Sequence, residues 1–138
     1  MDKIKQVMVI DDDSINNIIF KKLADLCEFA EEVITFISAV DALDHLKNIS
    51  KNRLSPPNII FLDIRMPIVN GWEFLDEFEE INPELFSGTA IYMLTSSSEQ
   101  SDINRSRNYQ QISDYIVKPL TTEKLQEIQS RHAAEAVE

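Results

Sequence analysis

Short apolar runs and helical stripes of apolar residues alternate along this chain five times. Gln6 to Ile10 is a compact apolar run and predicts a buried strand. Ser14 is placed to cap the next helix, whose apolar positions Ile15, Ile18, Ile19, Leu23 and Leu26 recur at helical spacing. Val33, Ile34 and Phe36 predict a second strand over Glu32 to Phe36. Ser38, with Asp41 three residues on, predicts a capped helix whose inner face is Ala39, Ala42, Leu43, Leu46 and Ile49. Ser50 to Pro57 is polar, ends in Pro-Pro and reads as a loop. Asn58 to Leu62 is almost continuously apolar, as expected of a strand covered on both faces. Met66 to Gly71 is rich in turn residues, and Trp72, Leu75 and Phe78 predict a helix over Trp72 to Glu80. Asn82-Pro83 and Gly88 interrupt the chain before a fourth strand, Ala90 to Leu94. In the helix predicted after Ser98, Ile103 is the only aliphatic residue before Tyr109, so an exposed, mobile helix is expected. Asp114 to Val117 is the fifth strand. The last helix runs from Thr122 through Leu125 and Ile128 to about Arg131, leaving 132–138 as a frayed tail.

Strands alternating with helices imply an α/β fold: a parallel sheet with right-handed crossovers and helices on both faces. A length of 138 residues fits one domain, and 43% hydrophobic residues suffice for a core. No run approaches the ~20 apolar residues of a membrane span, and Met1 to Lys5 lacks the apolar segment of a secretory signal. Cys27 is the only cysteine, which excludes an intrachain disulfide and a cysteine-based zinc site. The expected compartment is the cytoplasm. With 24 acidic and 13 basic residues the net charge is −11, which argues against nucleic acid and anionic membrane surfaces as partners. Gly71 and Gly88 are the only glycines, so neither a Gly-x-Gly-x-x-Gly loop nor a Walker A loop can be written.

The polar residues at the strand ends change the picture most. The first strand runs into Asp11-Asp12-Asp13, the third into Asp63, the fourth into Thr95 and Ser96, the fifth into Lys118-Pro119. Each has an ordinary explanation alone: a helix cap, a turn residue, a solvated lysine. In an open parallel sheet, however, the carboxyl ends of the strands face one crevice. There the aspartates, the hydroxyl and the lysine would converge as a divalent-cation site, a nucleophile, an oxygen ligand and a counter-charge. Adjacent carboxylates repel one another unless a cation lies between them, and Mg²⁺ takes one or two carboxylates plus waters. These are the parts of a phosphoryl-transfer site.

The combination resembles the receiver domain of two-component response regulators, of the stand-alone, chemotaxis-regulator-like kind. The acidic pair after strand one, Phe61-Leu62-Asp63-Ile64-Arg65-Met66-Pro67 with Gly71, Thr95-Ser96 and Tyr115-Ile116-Val117-Lys118-Pro119 carry the resemblance, which covers Ile4 to Arg131. It implies a receiver domain over 1–131 and a doubly wound, flavodoxin-like, five-stranded parallel sheet of strand order 2-1-3-4-5. It makes Asp63 the phosphoacceptor, and Asp11, Asp12, Asp63 and the main-chain carbonyl of Arg65 the ligands of Mg²⁺, with Mn²⁺ as a substitute. Thr95 and Lys118 would contact the phosphoryl oxygens, and Tyr115 would be the switch aromatic. A cis peptide between Lys118 and Pro119 is implied as well. The implied partners are a sensor histidine kinase or histidine phosphotransfer protein and a downstream protein target. The protein would be a monomer or a weak phosphorylation-dependent dimer, acting on no substrate but its own Asp63. One position departs from the family: Gln111 stands where many receivers have glycine before the fifth strand. The Ser50 to Pro57 loop also looks long for the family.

Two other readings compete. Asp11-x-Asp13 after a strand resembles a haloacid-dehalogenase-type phosphatase, with Asp11 as nucleophile and Asp13 as general acid. That reading leaves Asp63 unexplained and lacks further acidic residues after Lys118. The other is a non-phosphorylated, receiver-like scaffold. A flavin role suits the fold class alone, without a phosphate loop to support it.

Overall fold

The computed structural model describes residues 2–137. The chain alternates strand and helix: β1 (Ile4–Ile10), α1 (Ser14–Leu26), β2 (Ala30–Phe36), α2 (Ala39–Lys51), β3 (Ile59–Leu62), α3 (Gly71–Phe78), β4 (Ala90–Thr95), α4 (Gln100–Ser106), β5 (Ile112–Val117) and α5 (Thr122–Val137). All strand pairs are parallel, in the order β2-β1-β3-β4-β5.

Alternation along the central strands divides the core in two. Met8, Ile10, Ile60, Leu62, Ile91 and Met93 face α2 and α3. Val7, Val9, Ile59, Phe61, Tyr92 and Leu94 face α1 and α5. Successive side chains of a strand point to opposite faces, so strands covered on both sides must be apolar at every position. That is the origin of the continuous apolar runs in β1 and β3.

The first helix corrects the predicted burial. Ile15, Ile18 and Ile19 are 65%, 54% and 48% exposed, and Leu26 is exposed too. The buried face is instead Asn17, Phe20 and Ala24, with Leu23 packed at its edge. Two stripes compete on this helix, and the aromatic one wins. Phe20 lies 4.8 Å from Phe61 and 6.5 Å from Phe29 between ring centroids, and an aromatic ring buries more apolar surface than isoleucine. The predicted cap is also displaced by one residue: Asp13 Oδ1 accepts from the Ile15 amide, and Ser14 begins the helix.

Other boundaries shift for local reasons. Helix α2 runs on to Lys51, which shortens the loop that looked long. Helix α3 opens with a reciprocal capping box between Asn70 and Glu73 inside the segment read as loop. A Cβ on Gly71 would sit 2.5 Å from the Asp63 carbonyl oxygen, so only glycine lets α3 start against the end of β3. Helix α5 continues through Val137 rather than fraying after Arg131, while Glu138 lies outside the described residues.

Between α4 and β5 the turn is built without a left-handed residue, as Gln111 in place of glycine implies. The amides of Arg107, Asn108, Tyr109 and Ile112 each bond a carbonyl three residues back. Among the described residues, positive φ at non-glycine positions occurs only at Glu28, Arg53, Ile68 and Asn82. Gln111 therefore needs no left-handed conformation. A register shift between Ile91 and Tyr92, opposite Ser113, absorbs the altered path into β5.

Helix α4, predicted after Ser98, has seven residues. Its attachments are polar and aromatic in place of aliphatic. The Arg105 guanidinium lies 4.9 Å from the Trp72 ring, and Tyr109 stacks on the same ring at 5.4 Å. Tyr109 also donates its hydroxyl to Asp76 of α3 at 3.2 Å.

Candidate functional site: a carboxylate cluster sharing one lysine

The sheet's hydrogen bonding extends one residue beyond three of its strands and seats the chemistry there. The Asp11 amide donates to the Phe36 carbonyl, the Asp63 amide to Ile10, and the Lys118 amide to Thr95. Asp11, Asp63 and Lys118 thus inherit strand register at the carboxyl edge. Asp11, Asp63 and Thr95 are buried, while Asp12 is exposed.

Carboxylate oxygens of Asp11, Asp12 and Asp63 lie within 4.8 Å of one another. Lys118 Nζ donates to Asp11 Oδ2 at 2.6 Å and reaches Asp63 Oδ2 at 3.5 Å. Asp63 Oδ1 accepts from the Ile64 amide at 2.8 Å. Burial pushes the Asp63 carboxyl above the usual carboxylate range, aided by nearby Asp11 and opposed by Lys118 and a hydrogen bond from Thr95. Behind the acidic turn, Asn17 Nδ2 donates to the Asp11 carbonyl at 3.0 Å, and the Asp13 amide donates to Asp11 Oδ1 at 2.9 Å. The hard-oxygen donor set, with one exposed member, suits Mg²⁺, which keeps part of its water shell.

The residues singled out in the sequence are largely brought together: Asp11, Asp12, Asp63, Thr95 and Lys118 surround one crevice. The Lys118–Pro119 peptide is cis. Tyr115 is half-buried, and its hydroxyl donates to the Ser97 carbonyl at 2.8 Å. The Arg65 guanidinium is turned to Glu99 at 3.5 Å and Asp102 at 3.3 Å. Asp13 does not serve as an acid for Asp11, because its carboxylate is used at the start of α1.

Two features were missed. One is Asn17, hidden by the choice of the wrong stripe on α1. The other is the bond from Ser97 Oγ to Asp102 Oδ2 at 2.6 Å. The resemblance places Ser97 and Arg65 at the flank of the site, but nothing in the sequence points from either to Asp102.

A family model described as response regulator receiver domain matches residues 7–129. A two-component response regulator from Cytophaga hutchinsonii superposes with a TM-score of 0.87 at 28% identity, covering 96% of this chain and 98% of that one. A protein-glutamate methylesterase/protein-glutamine glutaminase from Burkholderia thailandensis is 32% identical over 83% of this chain but only 29% of its own length. This chain spans less than two thirds of several curated relatives. The receiver domain of sensor histidine kinase PA1611 from Pseudomonas aeruginosa, with a magnesium ion coordinated in its active site cleft, has the same fold. It has a TM-score of 0.73 at 20% identity, covering 91% of this chain and 94% of that one.

Proposed function

The chain belongs to the response regulator receiver domain family, and we propose that it takes a phosphoryl group onto Asp63 from a phosphohistidine of a sensor histidine kinase or histidine phosphotransfer protein. The observation that carries this is a buried carboxylate within reach of two others and of one lysine. Asp11, Asp12, Asp63 and the Arg65 main-chain carbonyl would hold Mg²⁺, whose role is to neutralise charge on the phosphoryl oxygens. The magnesium in the Pseudomonas receiver supports that choice.

An Asp63 carboxylate oxygen attacks phosphorus, the phosphorus–nitrogen bond breaks, and its electron pair returns to the imidazole of the donor. Lys118 Nζ, already 3.5 Å from Asp63, follows the charge onto the transferred group. The Thr95 hydroxyl, beside Asp63 in the resting site, turns to a phosphoryl oxygen. The modification adds ~1.5 to 2 negative charges at neutral pH. Thr95 then leaves space into which Tyr115 moves, giving up Ser97. The change alters the surface of α4, β5 and α5 for a downstream protein. Hydrolysis of the aspartyl phosphate, in which water attacks phosphorus, the bond to the Asp63 oxygen breaks and inorganic phosphate leaves, is the only other catalysis proposed for the site. The exposed isoleucines of α1 suit an apolar helical face of the donor. One of them, Ile19, lines a groove of about 410 Å³ between α1 and the Pro119-Leu120 turn, which opens beside Lys118. No helix among the described residues is long and apolar enough to cross a membrane, and we place the protein in the cytoplasm.

The test is phosphorylation with Mg²⁺ and a small phosphodonor or a donor kinase. Wild type is expected to gain the mass of one phosphoryl group and Asp63→Asn none. Labelling that survives in Asp63→Asn and disappears in Asp11→Asn would return the site to the phosphatase reading.

A further inference from the structure

Hydrogen bonds and ion pairs close a ring around the β4–α4 loop, and both ends of the ring begin at Asp63. On one side, Thr95 lies beside the Asp63 carboxylate and helps to hold its charge, and the Ser97 amide donates to Thr95 Oγ1 at 3.3 Å. Ser97 Oγ then donates to Asp102 Oδ2 at 2.6 Å. On the other side, Arg65, two residues after Asp63, reaches the same Asp102 oxygen at 3.3 Å. The Ser97 carbonyl meanwhile accepts the Tyr115 hydroxyl. Asp102 is the only member of the ring carried by α4 itself. Its side chain is largely shielded, and it meets a hydroxyl and a guanidinium from two different loops. A cleft of about 550 Å³, lined by Asp12, Arg65, Trp72, Asp102 and Arg105, joins this ring to the acidic site.

We propose that Asp102 is a positioning residue that holds α4 against the phosphoacceptor loop in the unphosphorylated protein and yields when Asp63 is phosphorylated. The inference rests on the reading of Asp63 given above. Two consequences of phosphorylation act on the ring together. The new negative charge competes with Asp102 and Glu99 for the Arg65 guanidinium. The turn of Thr95 toward the phosphoryl group withdraws the acceptor of the Ser97 amide. The Arg65 pair is the weaker link, because that guanidinium is solvent-exposed and exposed pairs contribute little. A modest local charge change is therefore enough to part it. The remaining bond from Ser97 to Asp102 then has no second anchor, and α4 is free to leave the loop after β3. Any contact made only in the resting state lowers the site's affinity for a phosphoryl mimic by the same factor that it favours rest.

The experiment is hydrogen exchange over residues 97–109 with Mg²⁺, before and after beryllofluoride, together with beryllofluoride affinity. Wild type, Asp102→Ala and Asp102→Asn are compared. In Asp102→Ala the segment should exchange faster before beryllofluoride, change less on its addition, and bind the mimic about two- to fivefold more tightly, the range open to a part-exposed ion pair. Asp102→Asn keeps an acceptor for Ser97 without the charge for Arg65 and should fall between, which separates the ring from a general loss of fold. Wild-type exchange and wild-type affinity in Asp102→Ala, with beryllofluoride bound, would overturn the role of Asp102 and leave Asp63 in place. Failure of the wild type to take up beryllofluoride would overturn the phosphoacceptor reading and this coupling with it.

Discussion

Asp63 shows how one residue carries a cost that its site can use. Burial raises its carboxyl above the ordinary range although Lys118 and Thr95 pull the other way. A carboxyl with a raised folded-state pKa favours folding while it is protonated, and that favour is lost as pH rises through the folded value. In metal-free solution at pH 7 we therefore expect Asp63→Asn to be at least as stable as wild type. The difference should shrink as pH falls into the ordinary carboxylate range. Urea unfolding at several pH values in a chelator checks this, and a variant clearly less stable than wild type at pH 7 would contradict it. At this scale the sequence was highly legible. Asp11, Asp63, Thr95 and Lys118 follow apolar strand runs, and strand ends converge by topology alone. The pairing of Ser97 with Asp102 was not legible, because it depends on how a loop and a short helix are set in space, which no periodicity encodes.

Elements were legible in kind and less so in phase. α1 shows why: Ile15, Ile18 and Ile19 satisfy helix periodicity, yet burial belongs to Phe20 and Ala24. Helical periodicity alone cannot choose between two adjacent stripes when the partner surface, here Phe29 and Phe61, is unknown. α4 was read as loosely held because apolar residues were counted, whereas it leans on an arginine and a tyrosine against one indole. Trp72 is the only tryptophan, so its emission reports on α4. Binding of beryllofluoride with Mg²⁺ should shift Trp72 intensity or wavelength, and Arg105→Ala should blunt that response while costing ~0.5 to 1 kcal/mol of stability. Emission that stays constant while the mimic is bound would show that α4 does not leave the ring.

At the scale of the whole molecule, the parallel sheet and its two-sided core follow from strand–helix alternation, while the sheet order was implied by the family resemblance; the structure has both. Net charge is the property that the packed interior does not explain. The chain carries −11, and the carboxylate cluster concentrates part of it in one crevice. A cation bound there should raise stability by linkage. At ten times its Kd, Mg²⁺ should add about 1.4 kcal/mol, or roughly 3 to 8 °C in Tm for a domain of this size. Asp12→Ala should lose most of that increment and gain stability in its absence; a Tm indifferent to millimolar Mg²⁺ would rule the site out. The shared lysine has a consequence in time. Three ionised carboxylates and one ammonium leave two negative charges facing an incoming phosphoryl group that is itself anionic. A donor arriving first meets repulsion, whereas a donor arriving after the cation meets a neutral crevice. On the proposed function, labelling is expected to be ordered, metal before donor. In rapid mixing, protein preloaded with Mg²⁺ should label without delay, and protein that meets Mg²⁺ and donor together should show a lag that shortens as Mg²⁺ increases.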